Sequence, residues 1–319
     1  MCVWSARLGG VEARSPLLAE QVRRVQYVTH QLPLRPRSDG FSMIVIRHKD
    51  TGESLLEVQA DTLAGADLEG AMLLGADLKG ADLRGAFLRV ADLCQADLRG
   101  ASLDRADLRD ADVTLANLVG TSFRNAVITD ARLQGINMGI GGPVGTDFRG
   151  ADLTRAYLNF SNLTGCNFSD AEMQGIDLTR CDLSGAVLVG ANLTRANLSN
   201  SNLSGADLSH TMLAGALFND TDLRRANLHD AELATATLSG VLLAGANLSR
   251  SHLSRTVFAR CHDLHHALGL DSLSYLSPSS IDLETLRVCL AGLSDDFLDG
   301  VGVEAREIES LRGVAAPVA

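Results

Sequence analysis

Aromatic side chains are scarce in this sequence, since Phe, Trp and Tyr make up only 4% of its 319 residues. Ordinary globular cores depend on large rings and branched side chains. Hydrophobic residues still account for 46% of the chain, and most of them are Ala and Leu. The chain must therefore bury small and medium side chains in an unusually regular arrangement.

Long apolar runs are also missing. No segment approaches the roughly eighteen uninterrupted apolar residues of a membrane span. The first twenty residues, "MCVWSARLGGVEARSPLLAE", contain no apolar run of signal-peptide length. We expect a soluble, cytoplasmic protein that does not bind membranes.

Basic residues do not predominate, because the formal net charge is -11. That balance argues against direct binding of nucleic acid or of an anionic membrane through bulk electrostatics. The six cysteines show neither CxxC pairs nor the density of a secreted disulfide scaffold, which fits a reducing compartment.

Motifs of catalysis are absent as well: the sequence has no phosphate-binding loop followed by Lys, no HExxH and no GxSxG. The best candidate for a metal site is "CHDLHH", with Cys261, His262, His265 and His266. One short cluster without a second ligand pair is weak, and we interpret it as a solvated junction. We predict neither an enzyme nor a bound metal or cofactor.

A repeat of five residues is the dominant feature of the chain. Windows that step by five from Asp61 to Cys261 number 41, and the third position is Leu in 30 of them and Phe, Met, Val or Ile in nine more. The first position is small in all but four windows, and the phase never slips. A period of 5 fits neither the 3.6 of a helix nor the 2 of a strand, so it indicates a solenoid with one repeat per side.

Each position of the repeat has a physical interpretation. The small first residue and the large third residue must face inward together. The second position is chiefly Asp or Asn, which bond to nearby backbone, and Gly is common at the fifth, where the chain turns. These "ADLXX" and "ANLXX" units resemble the pentapeptide-repeat family. The resemblance implies an all-β fold, a right-handed quadrilateral β-helix in which residues 20 apart stack on one face.

The ends of such a solenoid need caps over the open shaft. Residues 43–60 predict a β-hairpin cap around the turn "DTGE", residues 61–262 the β-helix, and residues 263–319 a short α-helical C-terminal cap. Residues 1–42 are either disordered or weakly helical. In related proteins a terminal helical module can pair subunits, which implies a homodimer through the C-terminal helices.

One repeat is abnormal, because "NMGIGGPVGTDF" places Gly and Pro where a small residue and Leu belong. Five residues could bulge outward as an interaction loop while the coil closes beneath them, or the segment could be a tolerated kink. The candidate loop with its apolar rim consists of Gly139, Ile140, Gly141, Gly142, Pro143, Val144, Gly145, Tyr157 and Phe160.

The charge of the repeat region bears on a further alternative, mimicry of DNA. Some pentapeptide-repeat proteins mimic duplex DNA, bind a type II topoisomerase such as DNA gyrase and protect against quinolones or toxins. Residues 61–262 carry 17 Lys and Arg against 23 Asp and Glu, far less charge than a duplex of equal length. With 20 residues per coil, Asp92, Asp112, Asp152 and Glu172 would share one face, and Arg89, Arg109 and Arg149 another.

Residues 269–303 loosely resemble a linker that precedes TIR-type signalling domains in some bacterial pentapeptide-repeat proteins. The favoured interpretation is a non-catalytic protein-interaction scaffold of unknown partner. The alternatives are a DNA mimic that binds gyrase, and a scaffold or sensor component of a bacterial signalling or defence system.

Overall fold

A computed structural model describes residues 42–136 and 146–315, with side chains up to residue 312. These residues belong to one unit that begins at Ser42. The expectation for residues 1–42, disorder or a weak helix, therefore lies outside the described part except for Ser42.

Parallel β-bridges join second-position residues that are 20 apart, such as Asp82 to Ser102 and Phe87 to Asp107. Four such series run side by side, so one coil consists of four five-residue repeats. We number the faces by four consecutive bridges: face 1 at Asp82–Ser102, face 2 at Phe87–Asp107, face 3 at Asp92–Asp112 and face 4 at Asp97–Asn117.

The core is a column of third-position side chains with small first-position side chains packed in the corners. Leu83, Leu88, Ala86 and Ala91 each have no exposed surface. Burying one Leu contributes about 1.5–3 kcal/mol, and the periodic sequence repeats this contribution on every side of every coil. Where Phe takes the third position, as at Phe123, Phe148 and Phe168, successive rings stack with centroids 4.9 Å apart.

Asp and Asn are common at the second position because their side chains bond to the nearby backbone. The side-chain oxygen accepts a hydrogen bond from the backbone N–H two residues on, for example from Glu69 to Asp67 at 3.2 Å and from Ser204 to Asn202 at 3.0 Å. This local bond satisfies an amide at the corner that no strand partner reaches.

An antiparallel hairpin precedes the first coil. Strand β1 is Met43–Arg47 and strand β2 is Ser54–Gln59. The hairpin contacts the solenoid through hydrogen bonds from the Lys49 amide to the Gly75 carbonyl at 2.9 Å and from the Asp77 amide to the Arg47 carbonyl at 2.8 Å.

Parallel pairing continues beyond residue 262, into the segment expected to be helical. Asn247 pairs with Leu268, His252 with Ser274 and Val257 with Ser280. The separation of the paired residues therefore grows from the regular 20 to 21, 22 and 23. This widening is why a strict period of five no longer marks the last coil. The strands there are β3 (Thr237–Ser239), β4 (His252–Ser254), β5 (Val257–Ala259), β6 (Ser274–Ser277) and β7 (Ser280–Ile281).

Up to residue 315, where the described part ends, three short α-helices follow: α1 (Leu283–Cys289), α2 (Asp295–Gly300) and α3 (Ala305–Ala315). Asp282 and Ser294 are the N-caps of α1 and α2, each accepting a backbone N–H three residues on. Phe297 of α2 is buried against Phe258 of the last full coil, with ring centroids 6.1 Å apart. Across the described residues, no helix combines the length and apolar character needed to traverse a bilayer.

Candidate functional site

The abnormal repeat lies in a coil that contains one extra repeat. On either side of residues 137–145 the bridges run from Ser122 to Asp147, from Val127 to Asp152 and from Arg132 to Tyr157, so each bridge spans five repeats instead of four. After this coil the bridges again span four repeats. Gly139 to Gly145, the predicted loop, lie outside the described residues, but the pairing around them accommodates one repeat more than a regular coil.

The residues next to this segment occupy regular positions. Ile136 is buried, and its carbonyl accepts the Asn162 amide at 3.1 Å. Thr146 is also buried, and its hydroxyl donates to the Leu118 carbonyl at 2.7 Å. Both attachment points of the segment are therefore held in the core.

Exposed apolar side chains lie along one corner of the neighbouring coils. Tyr157 on face 3 is 46% exposed, and Phe160 at the corner between faces 3 and 4 is 58% exposed. Two coils away along that corner Leu115 is 52% exposed, with Gly135 between them. We call Leu115, Tyr157 and Phe160 the corner patch.

The corner patch is structurally supported. Leu115 Cδ2 lies only 3.0 Å from the place where a Cβ on Gly135 would stand, so Leu115 fills the space that the glycine leaves. The guanidinium of Arg180 lies over the Phe160 ring at 5.3 Å. Among the described residues, Asn159 Oδ1 is buried with no hydrogen-bond partner, and its residue lies in sequence between the two patch aromatics.

Sequence reasoning named Tyr157 and Phe160 as candidates but did not name Leu115, Gly135, Asn159 or Arg180. Counting four repeats onward from Phe160 does identify Arg180. Counting back from Phe160 places Gly135 and Leu115 on the same corner only if the abnormal coil is counted as five repeats rather than four.

The same extra repeat overturns the predicted charge columns. Asp92 and Asp112 do share face 3, but the next residues there are Arg132 and Tyr157, whereas Asp152 and Glu172 lie on face 2 below Val127. Arg149 likewise follows Asp147 on face 1, away from Arg89 and Arg109. The prediction failed because an insertion of one full repeat preserves the phase of five while displacing every later residue by one face.

Acidic side chains on the coils pair with arginines two residues on. The pairs with N–O contacts are Asp82–Arg84, Asp97–Arg99, Asp107–Arg109, Asp147–Arg149 and Asp222–Arg224. Hydrogen bonds from the arginine are the main cause that lowers the pKa of Asp82, Asp97, Asp107 and Asp222. These pairs neutralise five of the 23 carboxylates of residues 61–262 locally.

Asp147 has two arginine partners, Arg149 on its own coil and Arg124 on the coil before, at 2.9 and 2.7 Å. Burial of this carboxylate acts to raise its pKa, but the hydrogen bonds from Arg149 and Arg124 outweigh burial and lower the pKa to about 2.

The "CHDLHH" segment is divided between core and surface. Cys261 is buried and its thiol donates to the Leu238 carbonyl at 3.3 Å, while His262 Nε2 contacts Glu284 at 2.8 Å. The rings of His265 and His266 lie 3.9 Å apart. The described residues contain no group of three or more His, Cys, Asp or Glu side chains placed to hold a metal ion.

Buried thiols are part of the packing. Burial raises the pKa of Cys166, Cys181 and Cys261 to about 12. Each occupies the small first position of its repeat, and Cys181 donates to the Leu158 carbonyl at 3.1 Å.

Comparison with solved structures finds other proteins of the same repeat. HetL, a pentapeptide repeat protein involved in heterocyst differentiation regulation from the cyanobacterium Nostoc sp. strain PCC 7120, is 31% identical over 57% of this chain and 84% of its own, with a TM-score of 0.31. Rfr23 from the cyanobacterium Cyanothece 51142 is 29% identical over 30% of this chain and 58% of its own, with a TM-score of 0.23. QnrB1, a plasmid-mediated fluoroquinolone resistance protein, is 18% identical over 65% of this chain and 92% of its own, with a TM-score of 0.35.

No curated protein matches the sequence significantly. The family model described as "Pentapeptide repeats" matches in eight copies, which together cover residues 62–139 and 144–267, more than half of the chain. The structure shows what the repeat does, since four units form each regular coil and residues one coil apart stack. The chain belongs to the pentapeptide-repeat family, and this membership implies the right-handed sense of its coils.

Proposed function

We propose that this protein is a non-catalytic interaction scaffold that acts in the cytoplasm and binds a protein partner at the corner patch together with Gly139 to Gly145. The observation that carries the proposal is the coincidence of two irregularities. The exposed aromatics Tyr157 and Phe160 belong to the coil with the extra repeat.

The chemistry of the patch supports this role. Aromatic residues with exposed rings dominate binding energy at protein interfaces, where they enter pockets of the partner. Arg180 over Phe160 adds a cation at the edge of the patch. Solenoid coils provide a rigid platform, so a partner would not have to order this surface on binding.

Mimicry of DNA has less support. A mimic needs unpaired carboxylates in rows, but five coil aspartates pair with arginines two residues on, and residues 61–262 carry 17 Lys and Arg against 23 Asp and Glu. Paired charges present little net field to a DNA-binding surface. A gyrase supercoiling assay with and without quinolone tests this alternative, and inhibition or protection by this protein would restore it.

The two ends have a supporting role in the proposal. The hairpin β1–β2 bonds to the first coil at Gly75 and Asp77, and α2 buries Phe297 against Phe258 of the last full coil. We propose that these segments cap the shaft and prevent open coils from pairing with other chains.

Variants at the fifth position of the repeat test the binding site without disturbing the core. Phe160 and Val90 both have positive φ, at 63° and 58°, and both are at least half exposed. Asn tolerates this conformation better than either. Phe160→Asn should remove partner recovery in affinity capture from the native host, whereas Val90→Asn, on another corner, should leave the same partner bound. Equal recovery by both variants would refute the proposed site.

A further inference from the structure

A concave surface lies at the corner between faces 1 and 2, two faces away from the corner patch. Its volume is about 510 Å³, and the side chains of Arg84, Arg105 and Arg124 line it together with one carboxylate, Asp104. In a chain of net charge -11, three guanidinium groups around one cleft are a local excess of positive charge. A cleft of this size falls within the usual range for small-ligand sites.

The cleft exists because small residues occupy successive coils. Ala64 and Gly85 line it without projecting, and the space where a Cβ of Gly85 would stand has no atom within 4 Å. Arg105 follows Gly85 along the same corner, so its side chain borders the open space. Small residues next to long side chains on successive coils therefore leave a recess in the surface.

Many N–H donors in the cleft remain available. Arg84 uses Nε and Nη2 on Asp82, both at 2.8 Å, and leaves Nη1. Arg124 donates from Nε to Asp147 at 2.7 Å and leaves both Nη groups. The Arg105 side chain has no acceptor among the described residues and is exposed.

The acidic group in the cleft is already engaged. Asp104 Oδ1 accepts the Ser122 hydroxyl and the Arg124 amide, the latter at 3.1 Å. Asp82 and Asp147 each neutralise one arginine but do not line the cleft. The charged groups that line the cleft are therefore three guanidiniums and one carboxylate, and Arg105 is the one of the three arginines without an ion-pair contact in the described residues.

We propose that this cleft is a binding site for a phosphate group, either as the free ion or as a small phosphomonoester. Guanidinium groups match the oxygens of phosphate with paired N–H donors, and their charge is constant at physiological pH. The site is independent of the proposed protein partner, because it lies on other faces and uses other residues.

Isothermal titration of the full chain with inorganic phosphate, and separately with glycerol 3-phosphate, tests the site at pH 7.5 and constant ionic strength. We expect saturable binding of at least one probe, with a dissociation constant below about 10 mM. The arm that binds more tightly identifies the free ion or the ester as the ligand form. No saturable heat with either probe would overturn the proposal.

Three variants make the titration specific. Arg105→Gln should weaken binding about tenfold, since it removes the uncompensated cation. Arg195→Gln is the matched control, because Arg195 also sits exposed at a fifth position with φ near 59° and no acceptor among the described residues, yet outside the cleft. Asp104→Asn should strengthen binding about threefold, a gain that misfolding cannot produce. Equal losses in the two arginine variants, or weaker binding in Asp104→Asn, would contradict the site.

Discussion

At the scale of the residue, the fifth position of the repeat determines where the chain turns. Every described fifth position from Gly65 to Arg260 has positive φ, and 21 of these residues are not glycine. The left-handed conformation costs an L-residue roughly 1–2 kcal/mol. Even the β-branched Val90 and Thr235 adopt it, at 58° and 57°. The stacked coils on both sides therefore compensate for local backbone strain.

Gly75 is a position where glycine is required for a second reason. A Cβ there would stand 2.4 Å from His48 Nε2, whereas a Cβ on Gly80 would meet nothing within 4 Å. His48 cannot move freely, because its Nδ1 accepts the amides of Asp50 and Thr51 in the hairpin turn.

We predict that Gly75→Ala destabilises the protein more than Gly80→Ala does, by about 1–3 kcal/mol, the usual cost of forcing an atom into a packed contact. Both variants share the φ cost, so the difference isolates the contact between hairpin and coil. Urea unfolding of the two variants measures it, and equal midpoints would contradict the docking of the hairpin on Gly75.

Asp147 gives a prediction with a pH dependence. Its pKa is lowered from 3.8 to about 2, so its stabilising contribution is complete well above pH 3.8 and is lost as pH falls through about 2. Asp147→Asn should cost about 1–2 kcal/mol at pH 7, after allowance for solvent screening of its arginine partners, and almost nothing at pH 2.

Asp177→Asn is the control for this prediction. Asp177 occupies the same repeat position and accepts the Thr179 amide at 3.0 Å, a bond that Asn preserves, but it has no ion-pair contact with an arginine in the described residues. Unfolding free energies of the wild type and both variants between pH 2 and 7 provide the comparison. A pH-independent loss in Asp147→Asn would show that the ion pairs do not carry its effect.

At the scale of the element, the abnormal coil differs from the others by one inserted repeat. Removing residues 140–144 would join Gly139 to Gly145 and leave "INMGG", a regular unit with Met138 at the third position and Gly145 at the fifth. The partners on both sides already pair as neighbours, through Val127 with Asp152 and Arg132 with Tyr157.

This deletion should therefore preserve the β-sheet circular dichroism signal and change the free energy of unfolding by less than about 1 kcal/mol, since it removes no side chain from the described core. Deleting residues 195–199 removes the same number of residues and also begins at the fifth position of a repeat. It removes the buried Ala196 and Leu198, so it should lower the free energy of unfolding by about 2 kcal/mol or more. If the first deletion were as damaging as the second, residues 140–144 would be part of the core.

The sequence was sufficient to predict the phase of the repeat, since the burial of Leu and Ala determines which side chains face inward. It also named Tyr157 and Phe160 as candidates, and both are exposed in the structure. It could not predict which faces Asp152 and Arg149 occupy, because an insertion of one whole repeat is invisible to a period of five. Nor could it predict the extra coil through Ser274 and Ser280, where pairing no longer depends on equal spacing.

At the scale of the whole molecule, the four faces are not equivalent. The corner between faces 3 and 4 carries the apolar corner patch, and the corner between faces 1 and 2 carries the arginine cleft. Along the coils, Asp and Arg form local pairs, so the surface has charged groups without a field of one sign. The corner patch and the arginine cleft therefore lie on separate corners of the coils, two faces apart.

Direct contact between the corner patch and a protein is the central claim, and photo-crosslinking in the native host tests it most directly. A benzophenone amino acid at position 160, and for comparison at position 90, would report which proteins touch each corner. We predict a discrete crosslinked protein at position 160 that is absent at position 90. No crosslinked product at 160, or the same products at both positions, would contradict the claim.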